Sequence, residues 1–523
     1  MKTILIIRLG RLGDVLLTGP TIKNLRFLFP TAQIVYVTRE AYKPIAENLF
    51  GVNRVLTFPD EGSYLDLVRL SSELDDFQPE LVVDLHKNFR SFHLANLSKA
   101  PYKVVYKKRR RERQAAVNDK EFKNYIPHTT DLYNLVIDQL KGERLARRPD
   151  IVLPDSILIG PEADRDGISL APGAGSPVKA WPLENYAAIA ERVIYDFRKD
   201  VHVFVGDRER EFESKFAHLP QELLHMHHNL PVMDVAAEMS KTLLSLTNDS
   251  GLMHMSAAVG TPTIAIFGPT HEQLGFYPLG VHDIMLATDE KCRPCSLHGN
   301  KPCHREQQYC LTRLTIDFVY SKLVERLEDE PLAKAAFIDR DGTLIVDKNY
   351  LADPDKIEFI PGSLDAVRGL KECGYKIVII SNQSGVARGF FTEEAVEKVH
   401  SRLWDLMIAK NCEPDDILFC PYHPDGDISE YTREHGCRKP RAGMIEESAL
   451  RLGIDVKRSF MIGDKLSDVQ CGQVAGAIPI LVRTGKGAKA EEEYPAEPYP
   501  RPYFTCDTLG DAAEHILSVC HET

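Results

Sequence analysis

Short apolar runs ending at polar or glycine-rich turns recur along the chain, separated by stretches of helical periodicity. In the first third the runs are TILIIRLG, AQIVYVT, RVLTF and LVVDLH, with an amphipathic stretch over 21–29 between the first two. Continuous apolar runs of this length read as strands buried on both faces. Their alternation with helices is the rhythm of a parallel α/β sheet. The rhythm restarts near residue 167 with GISLAPGAG and continues through VHVFVGD, LSLTND and TPTIAIFG. A charged helix over 315–328 closes this part. The acidic EDEPLAKAA has a proline and no periodicity, so it reads as a linker. A third series follows: AAFIDRDGTL, KIVIISNQSG, DILFCPYH, SFMIGD and IPILVRTG. An exposed loop, EEEYPAEPYPRPY, then precedes a last helix over 509–519. The pattern predicts an α/β chain with two Rossmann-like lobes over 1–155 and 156–327. A linker over 328–335 and a third Rossmann-like domain over 336–523 complete it. Ligands of such folds bind in clefts and beyond the carboxyl ends of the strands.

A length of 523 residues agrees with three domains. The composition, 43% hydrophobic and 27% charged, is that of a soluble globular chain. The net charge of −12 gives no general attraction to nucleic acid, and no nucleic-acid partner is expected. The opening MKTILIIRLGRLGD is not a signal peptide, because its apolar run is short and Arg8 and Arg11 follow it. No window is apolar and long enough to span a bilayer, so a cytoplasmic location is expected. Eleven cysteines, most in two clusters, favour metal sites or buried thiols over disulfides in a chain without an export signal.

The third domain carries four polar motifs in order. DRDGT supplies Asp339 and Asp341, SNQSG supplies Ser381, Asn382 and Gln383, RKP supplies Arg438 and Lys439, and GDKLSD supplies Asp464, Lys465 and Asp468. Each is placed after an apolar run, so all four are expected to meet at one edge of the sheet. A carboxylate there can attack phosphorus, and a second one two residues on can protonate the leaving alcohol and then activate water. Clustered carboxylates repel, so Mg²⁺ is expected among them. A hydroxyl, an amide and a lysine would cradle the phosphoryl oxygens.

These motifs, with DRDGTL…D..Y, SNQSG.ARG, CRKP..GM and GD..SD, resemble the histidinol-phosphate and heptose-bisphosphate phosphatase branch of the haloacid-dehalogenase superfamily over about residues 334–487. The resemblance implies Asp339 as nucleophile and Asp341 as acid/base. It implies Mg²⁺ on Asp339, the Asp341 carbonyl and Asp464. Substrate contacts are implied for Asp347, Tyr350, Ser381, Asn382, Gln383, Arg438, Lys439 and Lys465. That branch usually carries a Zn²⁺ loop of the form C-x-H, spacer, C-x-C. Here the loop reads CPYHPDGDISEYTREHGCRKP, with Tyr422 in the place of the His and His435 in the place of the third ligand. Cys420, His423, His435 and Cys437 could still form a Cys₂His₂ zinc site, and a metal-free loop is the other reading.

The first two lobes offer RLGRLGD, which places Asp14 near a helix start as an N-cap or a general base. APGAGSPVKAWP places Lys179 in a Gly/Ser loop, and TNDSGLMH places Asp249, Ser250, Gly251 and His254 at a strand-to-helix turn suited to a diphosphate. In order, these motifs and FGPT resemble the ADP-heptose:lipopolysaccharide heptosyltransferases, which have a GT-B fold, over about residues 1–325. The resemblance implies ADP-heptose as donor in the second lobe. A lipopolysaccharide inner-core glycolipid is implied as acceptor in the first, with Asp14 as base of an inverting displacement. Glu209 is implied near the adenosine. KCRPCSLHGNKPCHREQQYC brings Cys292, Cys295, Cys303 and Cys310, read either as a ribbon-like metal site or as buried thiols. The basic KKRRRER over 107–113 is read as contact with an anionic acceptor or the inner face of the inner membrane, as a peripheral protein.

The combined expectation is a bifunctional enzyme of heptose metabolism, with heptose 1,7-bisphosphate as the phosphatase substrate. Its rival is a histidinol-phosphate-type phosphatase joined to a non-catalytic glycosyltransferase-like scaffold. The two expected reactions are not consecutive, so the fusion does not imply direct transfer of product between sites.

Overall fold

A computed structural model describes residues 1–122, 124–154, 165–206, 212–329, 331–493 and 503–521. They form two compact units, Met1–Ile157 with Asp164–Glu330, and Pro331–Thr523.

The first unit contains two parallel sheets. Strands β1 (Thr3–Ile7), β2 (Gln33–Arg39), β3 (Arg54–Phe58), β4 (Leu81–Asp84) and β5 (Tyr102–Val105) form one, in the order β3-β2-β1-β4-β5. Strands β6 (Ile168–Ala171), β7 (Val201–Val205), β8 (Leu224–His228), β9 (Leu244–Asn248), β10 (Thr263–Phe267) and β11 (Ile284–Ala287) form the other, in the order β11-β10-β9-β6-β7-β8. The central strands β1, β6, β9 and β10 are buried at every residue, which is why each reads as an unbroken apolar run. Helices cover them. Gly19–Leu28 packs toward Thr129–Gln139, where Asn24 and Thr21 both bond Asn134. The second sheet's core includes Trp181, Tyr186, Ile189, Val203 and Leu246.

The second unit holds β12 (Ala335–Asp339), β13 (Lys376–Asn382), β14 (Asp416–Cys420), β15 (Phe460–Gly463), β16 (Ile478–Val482) and β17 (Phe504–Cys506), ordered β14-β13-β12-β15-β16-β17. All pairs are parallel. In each of the three sheets the order reverses beside the first strand, between β1 and β4, β6 and β9, and β12 and β15. A crevice at the carboxyl ends opens there in doubly wound sheets.

The expected strands are present, and β5, β8, β11 and β17 are additional. The charged helix is Ile316–Glu328, capped by the Thr315 side chain, and the last helix is Leu509–His521. The tract read as a loop from Glu491 begins inside a helix, Gly487–Glu493, whose Ala490 packs with Val469 and Leu481. No helix among the described residues is long and apolar enough to cross a membrane.

Candidate active sites

At the reversal point of the third sheet, β12 ends on Asp339, 2% exposed. Lys439 Nζ lies 2.6 Å from Asp339 Oδ1, 2.7 Å from Asp468 Oδ1 and 3.1 Å from the Ile380 carbonyl. Lys439 does not follow a strand directly. It arrives at the far end of the long loop leaving β14, and the Asn382 side chain clamps it there, accepting the Lys439 N–H and donating to its carbonyl, both at 3.0 Å. Asn382 is thus committed to the backbone of the loop. Asp341 is held by three side chains. Arg340 bonds both of its oxygens, Gln383 Nε2 donates at 2.9 Å and Ser381 Oγ at 3.3 Å.

Lys465 provides the second cation. Its Nζ lies 3.0 Å from Asp464 Oδ1, 3.3 Å from Asp339 Oδ2 and 3.3 Å from the Asp341 carbonyl. Gly342, at φ +94°, lets the chain pass directly over the Asp464 carboxylate, where any Cβ would collide. The Lys486 N–H donates to Asp464 Oδ2 at 2.8 Å, and Lys486 Nζ pairs with Asp347 at 3.3 Å. Ligand atoms of Asp339, Asp464 and Asp468 lie within 4.8 Å of one another. Two ammonium groups thus face three close carboxylates. Burial raises the Asp339 carboxyl, but Lys439 and Lys465 outweigh it and hold it at about 2. Burial, and then the Asp339 charge, push Asp464 up to about 7. Burial raises Asp468 too, against the pull of Lys439. The excess negative charge of the site is expressed on Asp464.

At the rim, Tyr350 is half exposed and meets Phe390 edge-on at 4.7 Å. Arg438 donates to the Tyr422 carbonyl at 3.2 Å. Along the 420–437 loop, Cys420, His435 and Cys437 converge, with His435 Nδ1 2.9 Å from Cys437 Sγ. Tyr422 stacks on the His435 ring at 4.1 Å. His423 is not in this cluster: its Nδ1 accepts the Asp425 N–H at 3.0 Å. Three of the four expected ligands meet.

In the first unit, helix Leu12–Leu16 packs on helix Gly251–Ala258. A Cβ on Gly13 would come within 2.6 Å of His254 Cδ2, and one on Gly251 within 3.2 Å of Leu12, so both glycines permit the approach. Asp14 sits in the first turn, not at the cap, and pairs with buried Arg8 at 2.5 Å. Lys179 Nζ lies 2.7 Å from Asp249 Oδ2, to which Thr270 Oγ1 also donates at 2.7 Å. Asn248 ties the 172–181 loop to β9, donating to the Pro172 carbonyl and accepting the Trp181 N–H. The Ser250 hydroxyl and His254 Nδ1 are buried without hydrogen-bond partners. Burial first, with Asp249 and Asp14 opposing, lowers His254 to about 4, so the ring is neutral near pH 7. The two lobes therefore bring Asp14, Lys179, Asp249, Ser250, Gly251 and His254 into one region. Glu209 lies outside the described residues.

The basic run divides. Arg113 stacks on Phe276 and donates to Thr129 Oγ1 at 2.9 Å, and Arg109 pairs with Glu112 at 3.0 Å. Lys108 is lowered by burial first and then by Arg8, with Asp84 and Asp14 opposing. Residue patterns gave no sign of Arg8, Arg340, Lys486 or the Asp468–Lys439 pair. Lys486 and the Asp468–Lys439 pair work through partners far away in sequence, while Arg340 and Arg8 serve the nearby Asp341 and Asp14.

A strand ending in a buried carboxylate, a clamped lysine and a carboxylate cluster at one sheet edge define a phosphotransfer hydrolase of the haloacid-dehalogenase type. Two doubly wound lobes meeting at Asp14 and His254 define a glycosyltransferase frame. Residues 67–304 match the family model for glycosyltransferase family 9 (heptosyltransferase), and residues 436–512 match the HAD-hydrolase-like model. D-glycero-β-D-manno-heptose-1,7-bisphosphate 7-phosphatase of Yersinia pestis is 43% identical over 164 residues, 31% of this chain and 87% of that protein. The chain belongs to this phosphatase family and carries a glycosyltransferase family 9 domain as well. Among solved structures, D,D-heptose 1,7-bisphosphate phosphatase from B. bronchiseptica, complexed with magnesium and phosphate, is 32% identical, covering 35% of this chain and 98% of that one at a TM-score of 0.32. E. coli ADP-heptose lipopolysaccharide heptosyltransferase II is 20% identical, covering 62% and 98% at a TM-score of 0.48.

Proposed function

We propose that this chain carries out two heptose-directed reactions of lipopolysaccharide core biosynthesis. The first unit transfers heptose from ADP-heptose to an inner-core glycolipid, and the second removes the 7-phosphate of heptose 1,7-bisphosphate. The observation that carries the reading is the buried Asp339 carboxylate, kept charged by two lysines and so ready as a nucleophile.

In the second unit Asp339 attacks phosphorus, giving an aspartyl phosphate. Asp341, oriented by Arg340, Gln383 and Ser381, gives a proton to the leaving alcohol and takes one from the water that hydrolyses the intermediate. Lys439 stays on Asp339 and holds the phosphoryl oxygens. Asp347, Tyr350 and Arg438 face the sugar. The oxygens of Asp339, Asp341 and Asp464 surround an ammonium, Lys465 Nζ, so the donor set accepts a hard cation. These three residues would hold Mg²⁺, which would neutralise the charge developing on the phosphoryl group. Cys420, His435 and Cys437 would hold structural Zn²⁺, completed by His423 once it releases the Asp425 N–H.

In the first unit Asp14, aligned by Arg8, takes the proton of the acceptor hydroxyl. Lys179, Ser250 and the amides at the start of helix Gly251–Ala258 bind the donor diphosphate. Lys108 supports an anionic acceptor beside Asp14. Domain limits at 155, 327 and 335, a cytoplasmic location and peripheral contact with the inner membrane complete the reading.

The test is a screen of the intact chain for phosphate release from heptose 1,7-bisphosphate and histidinol phosphate, and for ADP release from ADP-heptose with a lipid acceptor. Faster turnover of histidinol phosphate would remove the heptose assignment of the second unit. No ADP release with competent acceptors would reduce the first unit to a binding scaffold.

A further inference from the structure

Two neighbouring strands at the edge of the second sheet carry imidazoles where any polar surface would suffice. β7 reads VHVFV and β8 reads LHMHH. Val201, Val203 and Val205, with Leu224 and Met226, pack into the core of the lobe. Side chains alternate between the faces of a strand, so His202, Phe204, His225 and His227 share the opposite face. The register sets His202 beside His225 and Phe204 beside His227, and the rings form one stack. His225 lies 4.8 Å from His202, His202 lies 5.2 Å from His227 at an angle of 9°, and His227 lies 4.8 Å from Phe204. Asp200 Oδ1, 3.0 Å from His225 Nε2, anchors that ring.

One pair within the stack turns its nitrogens on each other. His202 Nδ1 lies 3.0 Å from His227 Nε2. Two nitrogens on a tetrahedral zinc ion, each at about 2.0–2.1 Å, stand about 3.3 Å apart, so the pair is already close to coordinating distance. Glu238 completes the set from helix Val232–Ser240. Ligand atoms of His202, His227 and Glu238 all lie within 4.8 Å of one another, and all three residues are partly exposed. Lys241 Nζ bonds Glu238 Oε1 at 3.0 Å, which orients the carboxylate, and a carboxylate so held can still bind an ion through its other oxygen. Two imidazoles and a carboxylate suit zinc better than Mg²⁺ or Ca²⁺, and three protein ligands leave a fourth position for water. Neither proposed reaction uses these residues, and β7 stands two strands away from β9, whose carboxyl end carries the donor turn.

We propose that His202, His227 and Glu238 bind one zinc ion, which fastens helix Val232–Ser240 to the edge strands β7 and β8. Metal binding here does not depend on the transferase reading. Zinc held by the full-length, reduced chain is counted after equilibrium dialysis at micromolar free Zn²⁺, with and without His227→Gln/Glu238→Gln. The double variant keeps polar side chains of similar size and is expected to hold one zinc ion fewer, whatever the cysteine loops retain. Equal counts would overturn the site. A second measurement needs no variant. The unmutated chain is treated with diethyl pyrocarbonate, with and without Zn²⁺, and each histidine is followed by peptide mapping. His202 and His227 are expected to react about tenfold more slowly with zinc, because coordination occupies their nitrogens. His225, on the same face but outside the ligand set, is the internal reference. Equal protection of all three rings, or protection of none, would defeat the proposal.

Discussion

The Lys439 ammonium lies 2.6 Å from Asp339 Oδ1, both groups almost wholly buried, and it bonds Asp468 at 2.7 Å on its other side. One cation therefore neutralises Asp339 and braces a second carboxylate.

Removing that cation leaves buried Asp468 without its ion pair and Asp339 with Lys465 alone. Lys439→Met should destabilise the chain by about 3–5 kcal/mol and abolish phosphatase activity. Denaturant unfolding of the full chain checks it, and an unchanged midpoint would contradict the pairing.

Metal and pH should act together on Asp464. Its folded pKa of about 7 lies above the ordinary carboxylate value of 3.8, so the folded state holds the extra proton between these limits. Metal-free protein should therefore lose stability as pH rises from about 4 to 7. Mg²⁺ should counter the loss, increasingly toward pH 7. Melting curves with chelator or Mg²⁺ across that range decide it. A Mg²⁺ effect independent of pH would argue against Asp464 as a ligand.

Asp14→Asn should lower heptosyl transfer by about 10²–10⁴-fold, the usual scale for a general base, while phosphate release stays unchanged. Assaying both products from one preparation separates a lost base from a misfolded chain. Transfer at the unmutated rate would end the assignment.

Gly13→Ala places a methyl against the His254 ring and should cost about 1–3 kcal/mol of stability through overpacking. Transfer should fall with it, because Asp14 rides on the same helix. A fully active, equally stable variant would show that the two helices separate easily.

Much of this architecture was legible because central strands are buried on both faces and read as apolar runs. Strands β5, with YKVV half exposed, and β8, with LHMHH, lie at sheet edges and lack that signature. The short β17 lacks it for the same reason. Site residues were legible where the chemistry sits in a motif after a strand, as with Asp339, Ser381 and Asp464. Spacing could not show that Asn382 is committed to the Lys439 backbone, that Lys465 sits among the oxygens of Asp339, Asp341 and Asp464, or that His423 faces Asp425. Those facts depend on how distant segments meet.

The Gly13–His254 contact also ties the two lobes together at one bare position. Because Gly13 has no Cβ, the His254 ring reaches the helix that carries Asp14, and a larger residue there would push the Asp249–His254 turn away from it.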